Sequence, residues 1–321
     1  MSATRPRIVV ARRLTPAADA RARSEFDALM TDHDMDAAET IAAAREHKAD
    51  ALLIGGTSRL DAAALAGMPD HVKLIANSSV GYDHMDAAAA KARGILVTNT
   101  PDVLTDCTAD LAFLLLLGAA RRAYEYDALM RAGWRQKLGL PDMLGVRPSG
   151  KTLGIVGMGR IGRAMADRAR GFGMRVIYHN RSRLSPELEK GAEYFADLKS
   201  MLPHSQFLSL HLPGGAASGT VMTRETFALL PKGAVLVNTA RGSVVDEDAL
   251  LEALTNGQIF AAGLDVFRKE PDFDTRFAEL KNVFLAPHMA SATIETRDAM
   301  GFRALDNIAA VCSGRPPIDP V

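Results

Sequence analysis

Apolar positions along this chain follow two rhythms. Short apolar runs bounded by glycine, proline or charge read as buried strands, and stretches with apolar residues three and four apart read as helices. In the first hundred residues "RIVVARRL" reads as a buried strand, and residues 16 to 30 carry helical spacing. "ADALLIGG" is a strand ending in glycines, "HVKLIANSS" another strand, "MDAAAAKAR" a short helix and "GILVTNT" a strand. Such alternation predicts a parallel sheet with helices on both faces.

Pro101 and Asp102 break the pattern. "TPDVLTDCTADLAFLLLLGAARR" then supplies a long apolar helix, suited to a crossing between domains. Its most apolar stretch, 111 to 120, is too short to span a bilayer and reads as a buried helix. Residues 131 to 150, rich in Gly and Pro, read as an irregular loop. The alternation restarts at "KTLGIVGMGRIG" and continues through "MRVIYHN", "SQFLSLHLP", "AVLVNTA", "IFAAGLDVF" and "NVFLAPH". "SATIETRDAMGFRALDNIAAVCSG" closes the chain with a helix of about 20 residues by its spacing. The expectation is an α/β protein of two unequal halves, without short-period repeats or low-complexity tracts.

Composition narrows the class. The 321 residues are 48% hydrophobic and 24% charged, which is ordinary folded material. Thirty-eight basic residues balance 38 acidic ones, so no positive field points to nucleic acid. Cys107 and Cys312 lie far apart, which suits neither a disulfide framework nor a metal site and fits a reducing cytosol. The opening "MSATRPRIVVARRL" has arginines but no long apolar region behind them, so no export signal is expected and the cytoplasm is the expected compartment.

"TLGIVGMGRIG" runs from a strand into a helix and holds Gly157, Gly159 and Gly162 in G-x-G-x-x-G spacing, around Met158, Arg160 and Ile161. Gly157 permits a tight turn, Gly159 lets a pyrophosphate approach, and Gly162 lets helix and strand pack closely. The helix N-terminus offers N–H groups to phosphates. Alone the pattern is weak, because glycine turns also serve packing; a strand before and a helix after strengthen it. The next strand ends at Asn180, where an acid would bond the ribose hydroxyls of NAD. An acid repels a 2′-phosphate; Asn180 does not, while Arg181 and Arg183 bring charge and Ser182 a hydroxyl. A guanidinium fork suits phosphate. The stretch therefore points to NADP(H), the alternative being a solvated basic loop.

Three later strands end in groups suited to chemistry. "AVLVNTARG" delivers Arg241, "AAGLDVFRKEP" delivers Asp265 and Glu270, and "NVFLAPH" delivers His288. Each alone has a plain reading as a surface charge or a structural histidine. Together they meet the needs of a 2-oxo acid: a cation for its carboxylate and a proton donor for its carbonyl oxygen. A carboxylate beside an imidazole favours its protonated form, and one pKa unit is worth about 1.4 kcal/mol. Glu270 would play that part for His288.

These stretches resemble the D-isomer-specific 2-hydroxyacid dehydrogenase family. "GIVGMGRIG", "HLPGG", "VLVNTARGSVVDEDAL", "GLDVFRKEP" and "APHMASAT" stand in the family's order, and "NSSVGYDHMD" and "NTPDVLTDCTADLAFLLLL" extend the likeness over nearly the whole chain. The resemblance implies two doubly wound parallel-sheet domains. A Rossmann cofactor domain, 102 to 289, is inserted in a flavodoxin-like substrate domain of residues 1 to 101 and 290 to 321, with the active site in the cleft between them. It implies that Arg241, Glu270 and His288 form the catalytic set and that Asp265 holds the nicotinamide carboxamide. The backbone of Val80 and Gly81, with Ser79, would grip the substrate carboxylate together with Arg241. Thr108, His211, Leu212, Pro213, Thr239, Ala240, Arg241 and His288 would line the cofactor.

Within the family the chain most resembles the NADP-preferring glyoxylate and hydroxypyruvate reductases, small-molecule enzymes that work as homodimers. The 101 to 145 region would reach toward the partner. Trp134 would serve the dimer or the neighbouring site, or stand as a plain core or interface residue. One departure stands out: the family usually follows its histidine with an apolar residue and Gly, whereas Met289 and Ala290 follow here. Two other readings stay open, a reductase of larger 2-oxo acids such as phenylpyruvate and a dinucleotide-sensing binding protein. An NAD-linked oxidant of hydroxy acids conflicts with Asn180 and its arginines.

Overall fold

A computed structural model describes residues 5–214 and 218–321. The first four residues, part of the stretch read for an export signal, and Gly215 of "HLPGG" lie outside the described residues. In chain order the strands are β1 Arg7–Val10, β2 Asp27–Leu29, β3 Ala51–Ile54, β4 Leu74–Asn77, β5 Leu96–Thr98, β6 Thr152–Val156, β7 Arg175–His179, β8 Glu193–Phe195, β9 Phe207–Leu210, β10 Ala234–Asn238, β11 Ile259–Leu264 and β12 Val283–Leu285. The helices are α1 Pro16–Glu25, α2 Ala37–His47, α3 Ala62–Ala66, α4 Ala87–Ala92, α5 Thr105–Ala120, α6 Ala123–Arg131, α7 Arg160–Gly171, α8 Pro186–Glu189, α9 Leu198–Met201, α10 Arg224–Leu229, α11 Glu247–Thr255, α12 Arg276–Glu279 and α13 Ile294–Cys312.

The chain divides into two units, Met1–Leu104 with Ser291–Val321, and Thr105–Ala290. In the first, five parallel strands run in the order β2-β1-β3-β4-β5, the flavodoxin-like winding. Alternate side chains feed opposite faces. Val9, Leu52, Ile54, Ile75 and Val97 build one core layer, while Ile8, Val10, Leu53, Leu74 and Ala76 pack against Ala304, Leu305 and Ile308 of α13. Helices on both sides are why these strands are apolar almost throughout rather than alternating.

The second unit has seven parallel strands in the order β12-β11-β10-β9-β6-β7-β8. Counted from β6, this is the Rossmann order 3-2-1-4-5-6 with a seventh strand added. The apolar α5 covers one face, packing on β10 and β11. Approach is close: a Cβ on Gly263 would come within 2.7 Å of Leu115 Cβ, and one on Gly118 within 2.5 Å of the Phe284 ring. Each fully buried Leu, Ile or Phe in these layers contributes about 1.5–3 kcal/mol. Among the described residues no helix is long and apolar enough to cross a membrane.

One local expectation fails, and one alternative drops out. Residues 16 to 30 are not one helix. α1 stops at Glu25, Phe26 turns extended and is buried, and Asp27–Leu29 pairs with β1 as the edge strand. Trp134 is not a core residue: it is 53% exposed, within the irregular segment that follows α6.

Candidate active site

The glycine loop joins β6 to α7. Gly157 has φ +97°, and a Cβ there would come within 2.6 Å of the His211 carbonyl, so only glycine fits. A Cβ on Gly162 would collide with the Gly157 carbonyl, while one on Gly159 would meet nothing within 4 Å. Gly159 is also the N-cap of α7 and has no side chain with which to cap the first N–H groups. Beside the loop lies a cavity of about 450 Å³ whose wall includes Gly157, Gly159, His179, Asn180, Arg181, Ser182, His211, Leu212 and Pro213. Val156, Leu198, Ser218 and Val221 complete it, and these, with His179, were not legible as site residues because most are plain apolar neighbours.

The basic stretch divides by role. Arg181 and Ser182 line the cavity. The Asn180 side chain is turned to the loop, its Oδ1 accepting the Met158 N–H at 2.6 Å, so it braces the glycine turn as well as lining the wall. Arg183 is not part of that wall. Its guanidinium donates to both Glu189 oxygens, at 2.8 and 3.1 Å, and Tyr178 donates to the same carboxylate at 2.6 Å. Glu189 is only 5% exposed, and a buried carboxylate requires such a partner. Arg183, expected at a 2′-phosphate, is thus held by Glu189 and lies outside this wall.

Burial pushes the His211 pKa down to about 4, so the ring is neutral at pH 7. Its Nε2 sits 2.8 Å from Ser209 Oγ. Met158 is a core residue and is not part of the wall. Thr108, Thr239 and Ala240 are buried and Ile161 is half-buried; none lines this cavity. Thr239 Oγ1 has no hydrogen-bond partner among the described residues.

The three strand-end groups stand at the carboxyl ends of β10, β11 and β12, neighbours in the sheet. The turn carrying Arg241 is held by Asn238, 1% exposed, whose Nδ2 donates to the Arg241 carbonyl and whose Oδ1 accepts the Ala240 N–H. Gly214 makes room for the arginine stem, since a Cβ there would come within 2.7 Å of Arg241 Cγ. Glu270 Oε2 lies 2.6 Å from His288 Nδ1, and Oε1 accepts the Phe267 N–H at 2.8 Å. Burial raises the Glu270 pKa, but the bonds from His288 and Phe267 and the charges of His288 and Arg241 outweigh it and hold the carboxyl below its ordinary range. An ionised carboxylate only accepts, so Nδ1 carries a hydrogen and Nε2 is the nitrogen left for chemistry. His288 is half exposed.

Asp265 holds the loop that carries His288. It is 0% exposed; Oδ1 accepts the Met289 N–H at 2.7 Å and Oδ2 the Ala290 N–H at 2.9 Å. Its carbonyl accepts the His288 N–H at 2.8 Å. Burial raises its pKa, opposed by those two backbone bonds. Asp265 thus pins the turn in which His288 sits at φ +56°. Ala290, where the family usually has Gly, is accommodated within the same bond pattern.

In the other unit the 79–81 loop is braced from beneath. Asn77 Nδ2 donates to the carbonyls of Ser79 and Gly81, and Asn99 Nδ2 to that of Val80. With the carbonyls held, the N–H groups of Ser79, Val80 and Gly81 donate to no other described group. Backbone donors so arranged suit an anion. The asparagines at the ends of "LIAN" and "LVTN" are the signal by which this brace was findable in sequence.

The model of the D-isomer specific 2-hydroxyacid dehydrogenase NAD-binding domain matches residues 113–290. The chain is 47% identical to a glyoxylate reductase of Thermococcus litoralis, over 84% of this chain and 82% of that one. It is 41% identical to a glyoxylate reductase of Thermococcus kodakarensis, over 98% and 95%. Among solved structures, an NADPH-dependent glyoxylate/hydroxypyruvate reductase of Sinorhizobium meliloti, in complex with NADP and malonate, superposes with a TM-score of 0.88 at 36% identity, covering 99% of this chain and 97% of that one. With its two parallel sheets, its glycine loop and its strand-end Arg, Glu and His, this chain belongs to the D-isomer specific 2-hydroxyacid dehydrogenase family of oxidoreductases.

Proposed function

We propose that this protein reduces small 2-oxo acids, glyoxylate and hydroxypyruvate, to D-2-hydroxy acids with NADPH. The observation that carries the reading is the 2.6 Å contact of His288 with Glu270, close enough to Arg241 for its charge to act on the same carboxylate. The glycine cradle and the unpartnered Thr239 hydroxyl fit a dinucleotide. Bound there, the nicotinamide supplies a hydride to the substrate carbonyl carbon. In its acid form His288 keeps one hydrogen on Glu270 and passes the other from Nε2 to the carbonyl oxygen, which becomes the hydroxyl. Arg241 takes the substrate carboxylate, and the N–H groups of Val80 and Gly81, with Ser79, are in their own unit donors suited to an anion of the same kind.

The test is NADPH consumption, with NADH in parallel, against glyoxylate, hydroxypyruvate, pyruvate and phenylpyruvate. Fast turnover of the first two supports the reading. Turnover of phenylpyruvate alone moves the substrate to the larger class, and silence with all four favours a binding role. Preference for NADPH rests on Asn180, Arg181 and Ser182 at the cavity wall. Arg181→Ala should raise the NADPH KM by about tenfold or more, through loss of a charge-assisted bond, and leave NADH unaffected. Arg183→Ala should harm both cofactors alike by stranding Glu189; a selective loss of NADPH in that variant would reverse the two assignments.

A homodimer is part of the same proposal. Leu114, Tyr124, Met130, Trp134, Leu140 and Leu144 are exposed apolar side chains gathered in one stretch of sequence. Such a concentration marks an association surface. Sedimentation should give a dimer at micromolar concentration, and a monomer there would remove this part of the reading.

A further inference from the structure

The unit built on β1–β5 and α13 contains a cavity of about 230 Å³ that the proposed reaction does not use. It opens where doubly wound sheets collect ligands. The chain runs from β1 outward to β2 and back across to β3, and the cavity lies beyond the carboxyl end of β1, beside this reversal. Its wall includes Arg12 and Arg13 after β1, Thr15 at the N-cap of α1, Ser78 after β4, and Arg297 in the first turn of α13.

Arg12 is held in place by construction. Gly55 stands where a Cβ would come within 3.0 Å of Arg12 Nη1, so the glycine lets the guanidinium lie across the end of β3. Nη1 donates to Ser78 Oγ at 3.0 Å, and that hydroxyl donates onward to the Ile54 carbonyl at 2.9 Å. The head group is therefore half-buried and fixed. Arg297, also half-buried, lies near enough for its like charge to disfavour the charged form of Arg12, alongside burial and against the attraction of Asp34. Asp34 does not contact either guanidinium: its Oδ1 accepts the Arg13 N–H at 2.9 Å. Among the described residues neither Arg12 nor Arg297 has a carboxylate in ion-pair contact, and the Arg297 side chain donates no hydrogen bond at all.

Two converging cations in a concave, partly desolvated wall repel one another, and a structure gains nothing from them without an anion. Several half-buried arginines elsewhere in this chain pair with carboxylates, as Arg21 does with Asp306 and Arg303 with Asp319. A bracing role accounts for Arg12 but not for Arg297, whose side chain bonds to none of the described residues. We propose that this cavity binds a small multivalent oxyanion, a phosphate group or a di- or tricarboxylate, through Arg12, Arg297 and Ser78. The positive ends of α1 and α13 add to the same attraction. The proposal does not rest on the reaction proposed above.

Isothermal titration of the full chain with inorganic phosphate, and separately with citrate, tests it at constant ionic strength, so that screening is not read as binding. Arg297→Gln removes the charge without removing any bond within the fold. It should weaken the affinity of whichever anion binds by about tenfold or more, with unfolding temperature unchanged in the absence of anion. Arg181→Ala controls for phosphate settling in the dinucleotide cavity and should leave the titration intact. Binding of either anion with this pattern supports the site and tells phosphate from carboxylate ligands. The proposal is overturned if neither anion binds, if Arg297→Gln titrates as the parent does, or if binding disappears in Arg181→Ala.

Discussion

His288→Asn should lower kcat for 2-oxo acid reduction by about a thousandfold while the dinucleotide still binds. The geometry makes this a clean substitution. His288 occupies left-handed backbone at φ +56°, a conformation asparagine tolerates better than most residues. Its N–H bond to the Asp265 carbonyl and the Met289 and Ala290 bonds to the Asp265 carboxylate involve only backbone of the 288–290 turn, so the turn survives. What disappears is the imidazole proton opposite Glu270. An amide still donates a hydrogen bond but does not release its hydrogen, so the carbonyl oxygen loses its proton source rather than its contact. Steady-state kinetics at saturating dinucleotide reads the change directly. A loss smaller than about tenfold would take His288 out of the acid role and return the proton to water.

Arg241→Ala should cost about a thousandfold in kcat/KM, equivalent to ~4 kcal/mol, with both kcat and KM affected. A guanidinium holds a carboxylate by two parallel charge-assisted bonds, and the fork also aims the carbonyl that is to be reduced. The Asn238 brace and the space kept by Gly214 indicate that this side chain is positioned rather than loose. Arg241→Lys separates charge from aim. It keeps the cation but loses the fork, so it should recover part of KM and little of kcat. Equal kinetics in Ala and parent would exclude Arg241 from substrate binding. Arg241 also helps hold Glu270 ionised, so the Ala variant should need a higher pH for full residual activity.

Much of this protein was written in local pattern. Strands such as Ala51–Ile54 and Ala234–Asn238 are apolar runs buried on both faces, and no other arrangement would cover them. Gly157 and Gly162 announce the turn because no other residue fits their backbone and spacing. Arg241, Glu270 and His288 were visible because each follows a readable strand, and parallel strands deliver their following residues to one edge of a sheet. The family's motifs extended that reading over nearly the whole chain. What sequence could not decide depended on neighbours distant along the chain. β2 and β8 have three residues each and no apolar run, so only pairing with β1 and β7 makes them strands. Arg181 and Arg183 look alike in "NRSR", yet Glu189 claims one and leaves the other at the cavity wall. Asp265 read as a ligand group, and only the fold shows that its oxygens also accept from the loop beyond β12. Arg12 and Arg297, nearly the length of the chain apart, face one cavity only because α13 returns to the first sheet. The sequence by itself determined which segments must be buried and which chemistry the strand ends carry, because burial and backbone preference act locally. Which charges pair, and which remain for a ligand, was decided only by the tertiary structure, because ion pairing depends on distances of a few ångströms between residues the chain does not place together.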